Sequence, residues 1–495
     1  MRPDHSPGIN PGIDTGITLA TSAGWFATLV RRGGILFLSN GMGQALAFFT
    51  SIATGRVLGV QGFGQYSVVM ALVFVLGIFA EAGIETALTR EVARDPSMSR
   101  HLLSGSLLAK CLLGSLLAVV LATPPVARAL APDEASVPAV QLAGLLIALN
   151  ACNASFSAVF RAWGQMGYVL LVNVSGMGLQ LAGAVPVLLT FHSVQALIAW
   201  LVGVQVYELG VGWLLFRRGE PAVHSRPYRA VHSRPYRHLR PLQSRFWRGL
   251  RERRELRELR ELRELRELRV AAPVAVDLLR QSWPFALAGL LGALTIRADL
   301  FLIELLRGTY EAGIYGVATR LSDLLALAPG SFFAALLPAL AAVHAGGGSA
   351  AAGGVYRAVV RRMALAGAVA ALVGLAIADF VVVLSFGAAY RQAAMPLRML
   401  VLVLVPLLVN RTTTVYLYAT RREGLANMAL ALGLAVRLAA GMMLVNVWGA
   451  PGAALADLVA ECCVFVFYQW SGVMKGSAAG RTSTGEAYAA SAEPH

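Results

Sequence analysis

Four arginines, Arg297, Arg320, Arg411 and Arg437, stand inside stretches otherwise apolar enough to cross a lipid bilayer. A guanidinium keeps its charge when desolvated and presents a planar fork of donors that matches the oxygens of an anion. Four of them brought together would make an anion-binding site. Counted at ~1.5 Å per residue, Arg297 lies about 14 Å and Arg320 about 12 Å from the outer ends of their spans, so these two sit at similar depth. Carboxylates share the same stretches: Asp299, Asp323, Asp457 and Glu461 near the arginines, and Glu81, Glu85 and Glu208 earlier in the chain.

An ionisable side chain in hydrocarbon costs a few kcal/mol even on lenient scales, so it faces protein or water. Two roles are therefore open to each: lining a pathway, or neutralising a partner and fastening helices. Arg320 and Asp323 are three residues apart, share a helical face and are expected to pair. Arg297 and Asp299 are two apart, about 200° round a helix, and must look in different directions. A buried carboxyl group holds its proton more tightly, which lets it exchange one near neutral pH. Asp299, Asp323, Glu81, Glu208 and Glu461 are accordingly candidates for ion coupling, by H+ or Na+, or for helix pairing. Glu85, with Arg90 close by near the cytoplasmic end, reads as interfacial.

Nothing points to metal or covalent chemistry. Cys111, Cys152, Cys462 and Cys463 all fall in apolar runs with neither a disulfide framework nor metal-ligand spacing, and the eight histidines are scattered over termini and loops.

These groups need a scaffold, and composition says which kind. Hydrophobic residues make up 57% of the chain, charged residues only 14%, and mean hydropathy is +0.64, against roughly 25% charged in soluble domains. The chain reads as an all-α polytopic membrane protein. Spans of about 20 apolar residues fall at roughly 33–54, 66–88, 102–123, 137–160, 168–190 and 195–216, then at 284–306, 313–340, 357–384, 396–420, 425–447 and 452–472. The organisation expected is a tail over 1–32, an N-lobe over 33–216, a basic connector over 217–278, a C-lobe over 279–472 and a tail over 473–495. No secretory signal is visible, so the first span would insert uncleaved. Pro329, Pro338 and Pro406 lie within spans, as gating bends or packing kinks.

Short loops on the side shared by both termini carry thirteen Lys and Arg, against five on the other side: Arg56, Arg128, Arg307, Arg391 and Arg398. The positive-inside rule places both termini in the cytoplasm. The connector adds 17 Arg against 7 Glu over 217–269, a net +10 of the chain's +15. It contains a duplicated AVHSRPYR octet and five REL triplets from Arg254 to Leu268. A period of three sweeps the leucines round a helix, so no apolar stripe forms and the helix is marginal alone. A solvated linker, a segment lying on anionic lipid and a partner site are the three readings; the charge does not call for nucleic acid when lipid is the nearer anion.

The halves echo each other. RVLGVQGFGQYSVVMAL at 56–72 and LLRGTYEAGIYGVATRL at 305–321 both carry a Gly-containing turn leading to G-x-Y, Gly64 to Tyr66 and Gly313 to Tyr315. Tyrosine at such a place suits the membrane interface, ring in and hydroxyl wet. With six spans each, the halves would enter in the same orientation.

The segment GRVLGVQGFGQYSVVMALVFVLGIFAEAGIETALTREVAR at 55–94 resembles the oligosaccharidyl-lipid flippases, the polysaccharide-exporter branch of the superfamily that also contains multidrug and toxin extruders. RADLFLIELLRGTYEAGIYGVATRLSDLLALAPGSFFAALLPALA at 297–341 and LSFGAAYRQAAMPLRML at 384–400 are similar to it as well. The resemblance implies two six-helix lobes round a central cavity in the bacterial inner membrane. It implies alternating-access movement of an undecaprenyl-diphosphate-linked oligosaccharide, with no covalent chemistry, among membrane lipids and the polysaccharide polymerase machinery. Arg297, Arg320, Arg411 and Arg437 would then meet the diphosphate. The connector is longer and more repetitive than the family pattern. The rivals are a multidrug extruder, a lipid II flippase, and a membrane polysaccharide polymerase, which would need a larger outer loop than the one near 124–136.

Overall fold

The computed structural model describes residues 23–224 and 256–473. Among these the chain is helical throughout, without a strand. The helices are α1 (Ala23–Glu81), α2 (Ile84–Arg94), α3 (Ser99–Ala122), α4 (Pro124–Leu130), α5 (Val137–Ala162), α6 (Met166–Phe191), α7 (Val194–His224), α8 (Leu256–Arg307), α9 (Thr309–Phe386), α10 (Ala394–Ala419), α11 (Glu423–Trp448) and α12 (Ala450–Trp470).

Nine stretches among the described residues are long and apolar enough to cross a membrane. Two of them, Gly43–Glu81 with 39 residues and Ala335–Phe386 with 52, exceed the roughly 20 that one crossing needs. Each contains a glycine where two helical segments meet across a kink, Gly59 (φ 70°, ψ −175°) and Gly348 (φ 68°, ψ −171°). Spans 1 and 2 of the sequence reading therefore begin in one helix, and spans 8 and 9 share another. Pro329 and Pro338 lie inside α9 and Pro406 inside α10, and the helices continue through all three.

Contacts group the chain into two compact units. One is Val69–Leu294; the other takes the chain up to Val68 together with Thr295 onward. Both boundaries fall inside helices, α1 and α8, rather than in the connector. The AVHSRPYR octets lie largely outside the described residues, but the REL triplets from Leu256 onward belong to α8, which runs without interruption into the next span. A helix marginal by itself forms here because the span that follows it supplies the nucleus. Val274, Ala275 and Leu278, inside the 217–278 segment, are buried with Ile84, Leu88, Phe160 and Phe216 in the core of the Val69–Leu294 unit. The end of the connector is thus a packed part of that unit.

In the Val69–Leu294 unit α3 and α5 run antiparallel along a seam of small residues. A β-carbon added at Gly114 would lie 2.7 Å from Ala148 Cα, and one at Gly144 would lie 2.7 Å from Ala118 Cα. Along the same seam the Ser106 and Ser155 hydroxyls hydrogen bond at 2.9 Å, and the Cys111 and Cys152 sulfurs stand 3.5 Å apart. Close backbone approach through small residues is how helices pack when lipid removes the hydrophobic drive between them. In the other unit α9 and α10 pair in the same manner: a β-carbon at Gly367 would reach Val405 Cα at 3.1 Å, and the Tyr356 hydroxyl bonds Thr413 Oγ1 at 3.0 Å. Leu112, Leu116, Leu372, Phe380 and Met443 point outward and are exposed, an apolar exterior suited to hydrocarbon.

Candidate functional site

The internal echo has a structural counterpart. Gly59 and Gly308 (φ 82°, ψ −179°) adopt the same left-handed backbone at equivalent places in the repeat, separated by the 249 residues that also separate Gly64 from Gly313 and Tyr66 from Tyr315. Only glycine takes that φ without a steric penalty. Five residues beyond each turn the two segments cross. A β-carbon at Gly64 would collide with the Thr309 carbonyl and lie 3.0 Å from Gly313 N; one at Gly313 would collide with the Val60 carbonyl and lie 3.1 Å from Gly64 N. Val60 and Thr309 each stand four residues before the glycine, so the crossing has an approximate two-fold axis through it.

Further contacts close the same side. Arg56 donates through Nε to Ser385 O at 2.8 Å and through Nη2 to Leu384 O at 2.5 Å, satisfying carbonyls left open at the end of α9. Tyr390 Oη donates to Gly55 O at 2.8 Å, and Phe63 packs edge-on against Phe386 and Tyr390. In the second half Arg307 does the corresponding work for α11, bonding Val445 O at 3.1 Å and Val447 O at 3.0 Å. The echoed tyrosines differ from expectation. Tyr66 and Tyr315 are buried at 3% and 2% exposure rather than lying at the interface, because the glycine crossing draws both helix starts into the protein.

Tyr315 belongs to a buried charge cluster. Arg437 on α11 contacts Asp457 Oδ1 through Nε at 2.6 Å and Asp299 Oδ2 through Nη1 at 3.6 Å, and donates from Nη1 to Thr295 O. The Tyr315 hydroxyl donates to Asp299 Oδ2 at 3.4 Å and to Asp457 Oδ2 at 3.5 Å. Two carboxylates thus surround one guanidinium, and all three residues are at most 9% exposed. Such a cluster carries one surplus negative charge where charge is costly. A proton or a monovalent cation would neutralise it. Beside it Asn410 donates to the side chain and the carbonyl of Glu461, both at 2.8 Å, while Arg411, exposed on α10, acts on Glu461 electrostatically.

Arg297 and Arg320 are both half-buried, and Arg320 and Asp323 are the charged groups acting on Arg297. Tyr315 of the buried charge cluster also acts on Arg297. Among the described residues no direct ion pair links Arg320 to Asp323, contrary to the spacing argument. Asp299 meets Arg437 and Tyr315, while Arg297 is acted on by Arg320, Asp323 and Tyr315. Of the four arginines, Arg437 is enclosed by aspartates, Arg411 is exposed and acts on Glu461, and Arg297 and Arg320 are half-buried, with Arg320 acting on Arg297.

In the Val69–Leu294 unit, Glu208 accepts from Asn153 Nδ2 at 3.4 Å, and the same nitrogen bonds Gln205 O at 3.1 Å. Glu208 also lies against Gly176, where a β-carbon would displace its carboxyl group. Glu85 is ion-paired with Arg161, not with Arg90, which bonds Gln281. Glu81 belongs to a neighbouring group with Lys110. Sequence reasoning passed over Lys110 and read Tyr315 as interfacial, not as a member of a charge cluster. A lysine alone in an apolar run was the available signal for the first; the second had none, since its partners are 16 and 142 residues away.

A family model described as "Polysaccharide biosynthesis protein" matches residues 29–231. No curated protein matches the chain. Among solved structures, a multidrug resistance MATE family transporter of the MOP superfamily in an inward-facing conformation superposes with a TM-score of 0.65 at 16% identity, covering 88% of this chain and 96% of that one. The lipid II flippase MurJ in an inward closed conformation gives 0.59 at 11% identity, over 88% and 87%. A MATE transporter from Vibrio cholerae gives 0.56 at 15% identity, over 92% and 98%. The chain is a multi-pass membrane protein with the fold of the MOP superfamily, and over residues 29–231 it is similar to the polysaccharide biosynthesis family.

Proposed function

We propose that this protein is a flippase that moves an undecaprenyl-diphosphate-linked oligosaccharide across the bacterial inner membrane by alternating access, with both termini in the cytoplasm and the lobes 33–216 and 279–472 as the moving parts. The observation that carries the reading is the pair of half-buried guanidiniums Arg297 and Arg320, near enough for Arg320 to act on Arg297, with the Asp323 carboxylate acting on Arg297 as well. That arrangement leaves a net positive charge with fork-shaped donors, which suits a diphosphate. It gives no purchase to an organic cation, which argues against drug export. A lipid II flippase would meet the same diphosphate, and the similarity to the polysaccharide family over 29–231 favours the oligosaccharide. Such a cycle needs no covalent step, so the protein is read as a transporter and not an enzyme.

In this reading the Gly64 and Gly313 crossing, with Arg56 and Tyr390, closes the outer side and must part for release. The Asp299, Tyr315, Arg437 and Asp457 cluster takes the coupling ion, either a proton or sodium. The test is the double variant Arg297→Ala/Arg320→Ala, followed by surface polysaccharide and by membrane abundance in cells. Surface glycan should fall at least ~10-fold, the effect of losing a charge-assisted contact or more, with normal abundance. Wild-type glycan would remove these arginines from the pathway.

A further inference from the structure

Lys110 is one of two lysines among 42 basic residues. It sits midway along α3, fully buried, and its Nζ has no hydrogen-bond partner. An ammonium group in that position has to be explained by something near it. Ala109, the neighbour of Lys110 in the chain, shares a buried core with Ile84 and Leu88, which follow an interruption of the second span. α1 ends at Glu81, Ala82 and Gly83 take left-handed φ values of 45° and 67°, and α2 begins at Ile84. Alanine rarely adopts such a φ, and an interrupted span within a membrane is tolerated where the broken backbone is buried in protein or lines a water-filled cavity. At ~1.5 Å per residue the break and Lys110 both lie roughly 16–20 Å from the cytoplasmic ends of their helices.

The local charges can be accounted for. Glu81, Glu85, Arg161 and Cys152 are the charged and titratable groups acting on Lys110, and Lys110, Glu85 and Arg161 are those acting on Glu81. Glu85 and Arg161 are in direct ion pair. Glu81 and Lys110 are left for one another, yet no direct ion pair joins them among the described residues. A metal cation is disfavoured beside an ammonium, and a fully buried Nζ leaves no room for a bound anion. A proton needs neither space nor a set of ligands.

We propose that Glu81 and Lys110, at the break in the second span, form a proton-exchange site. The Glu81 carboxylate takes up one proton from water and becomes a neutral acid; no electron moves, and the same proton leaves when the carboxylate is restored. Uptake strips Lys110 of its counter-charge, and a buried charge left alone destabilises the arrangement that holds it. The Ala82–Gly83 break is the element able to answer by changing its bend. The site lies in the Val69–Leu294 unit, separate from the aspartate cluster. Its place in a transport cycle rests on the flippase reading, whereas the protonation itself does not.

Infrared difference spectra of the full-length protein in liposomes, recorded on acidification, test the site without substrate. Wild type should develop a carboxylic-acid C=O band that is lost in Glu81→Gln. In Lys110→Met, where the stabilising ammonium is gone, the band should develop at about tenfold lower proton concentration or less. A band unchanged in Glu81→Gln, or a Lys110→Met protein that titrates as wild type does, overturns the proposal. Should Lys110→Met fail to insert, 15N-lysine spectra give a second measure, because only Lys110 and Lys475 contribute. The Nζ resonance that survives Lys475→Arg should move over the pH interval of the band and should not do so in Glu81→Gln. A resonance that ignores that interval overturns the site equally. Normal titration together with wild-type glycan in the arginine double variant would reject the flippase reading while leaving the proton site standing.

Discussion

Arg437 shows what the charged residues of the second half cost and what they hold. Removing it leaves Asp299 and Asp457 facing each other in a buried place, so Arg437→Ala should lower stability by about 3–5 kcal/mol. The companion Arg437→Ala/Asp457→Asn should recover part of that loss. Thermal unfolding in detergent measures both, and equal losses would mean that the aspartates are not coupled to Arg437. The Arg297 and Arg320 pair should behave in the opposite way, since both side chains are half-buried: loss of transport with little change in unfolding temperature. The sequence allowed the ionisable residues to be found, because a charge in an apolar run is conspicuous. The partner of each group was not legible. Arg437 and Asp299 are 138 residues apart in sequence, and local spacing carries no information about which helices become neighbours.

Among the helices, the glycines of the echoed turns carry the sharpest constraint. Gly64→Ala and Gly313→Ala each place a methyl group against a carbonyl of the facing segment, so each should destabilise by about 1–3 kcal/mol as an overpacked contact does. Gly77→Ala, with open space around it, should be neutral. Unfolding temperatures compare the three, and a harmless Gly64→Ala would mean that the crossing is loose. The G-x-Y echo was visible because turn chemistry is local, and Gly59 and Gly308 confirm it in the backbone itself. That the two copies would press against one another was not visible, and so the tyrosines, read as interfacial, proved buried. The REL triplets, a helix marginal by itself, continue from Leu256 into the adjoining span, as a nucleus supplied by that span allows.

At the scale of the molecule, the all-helical membrane fold was readable from hydropathy alone, since no other architecture buries backbone polar groups in lipid so simply. Where the compact units divide was not readable, because the boundaries cut α1 and α8 internally while apolar patterning continues across them. The basic connector is expected to be dispensable over 222–255: replacing it with a short flexible segment should leave surface glycan within about twofold of wild type, and loss of glycan at normal abundance would make it a working part. A fluorescent protein fused after His495 should fluoresce, as it does in the cytoplasm, and a dark fusion would reverse the orientation. The central claim, movement of a lipid-linked anionic oligosaccharide between leaflets, is tested most directly with purified protein in liposomes. These would carry a fluorescent undecaprenyl-diphosphate oligosaccharide whose outer-leaflet fraction is bleached by an impermeant reductant. The account predicts protein-dependent bleaching beyond the half expected for static lipid, abolished in Arg297→Ala/Arg320→Ala; bleaching no different from protein-free liposomes would contradict it.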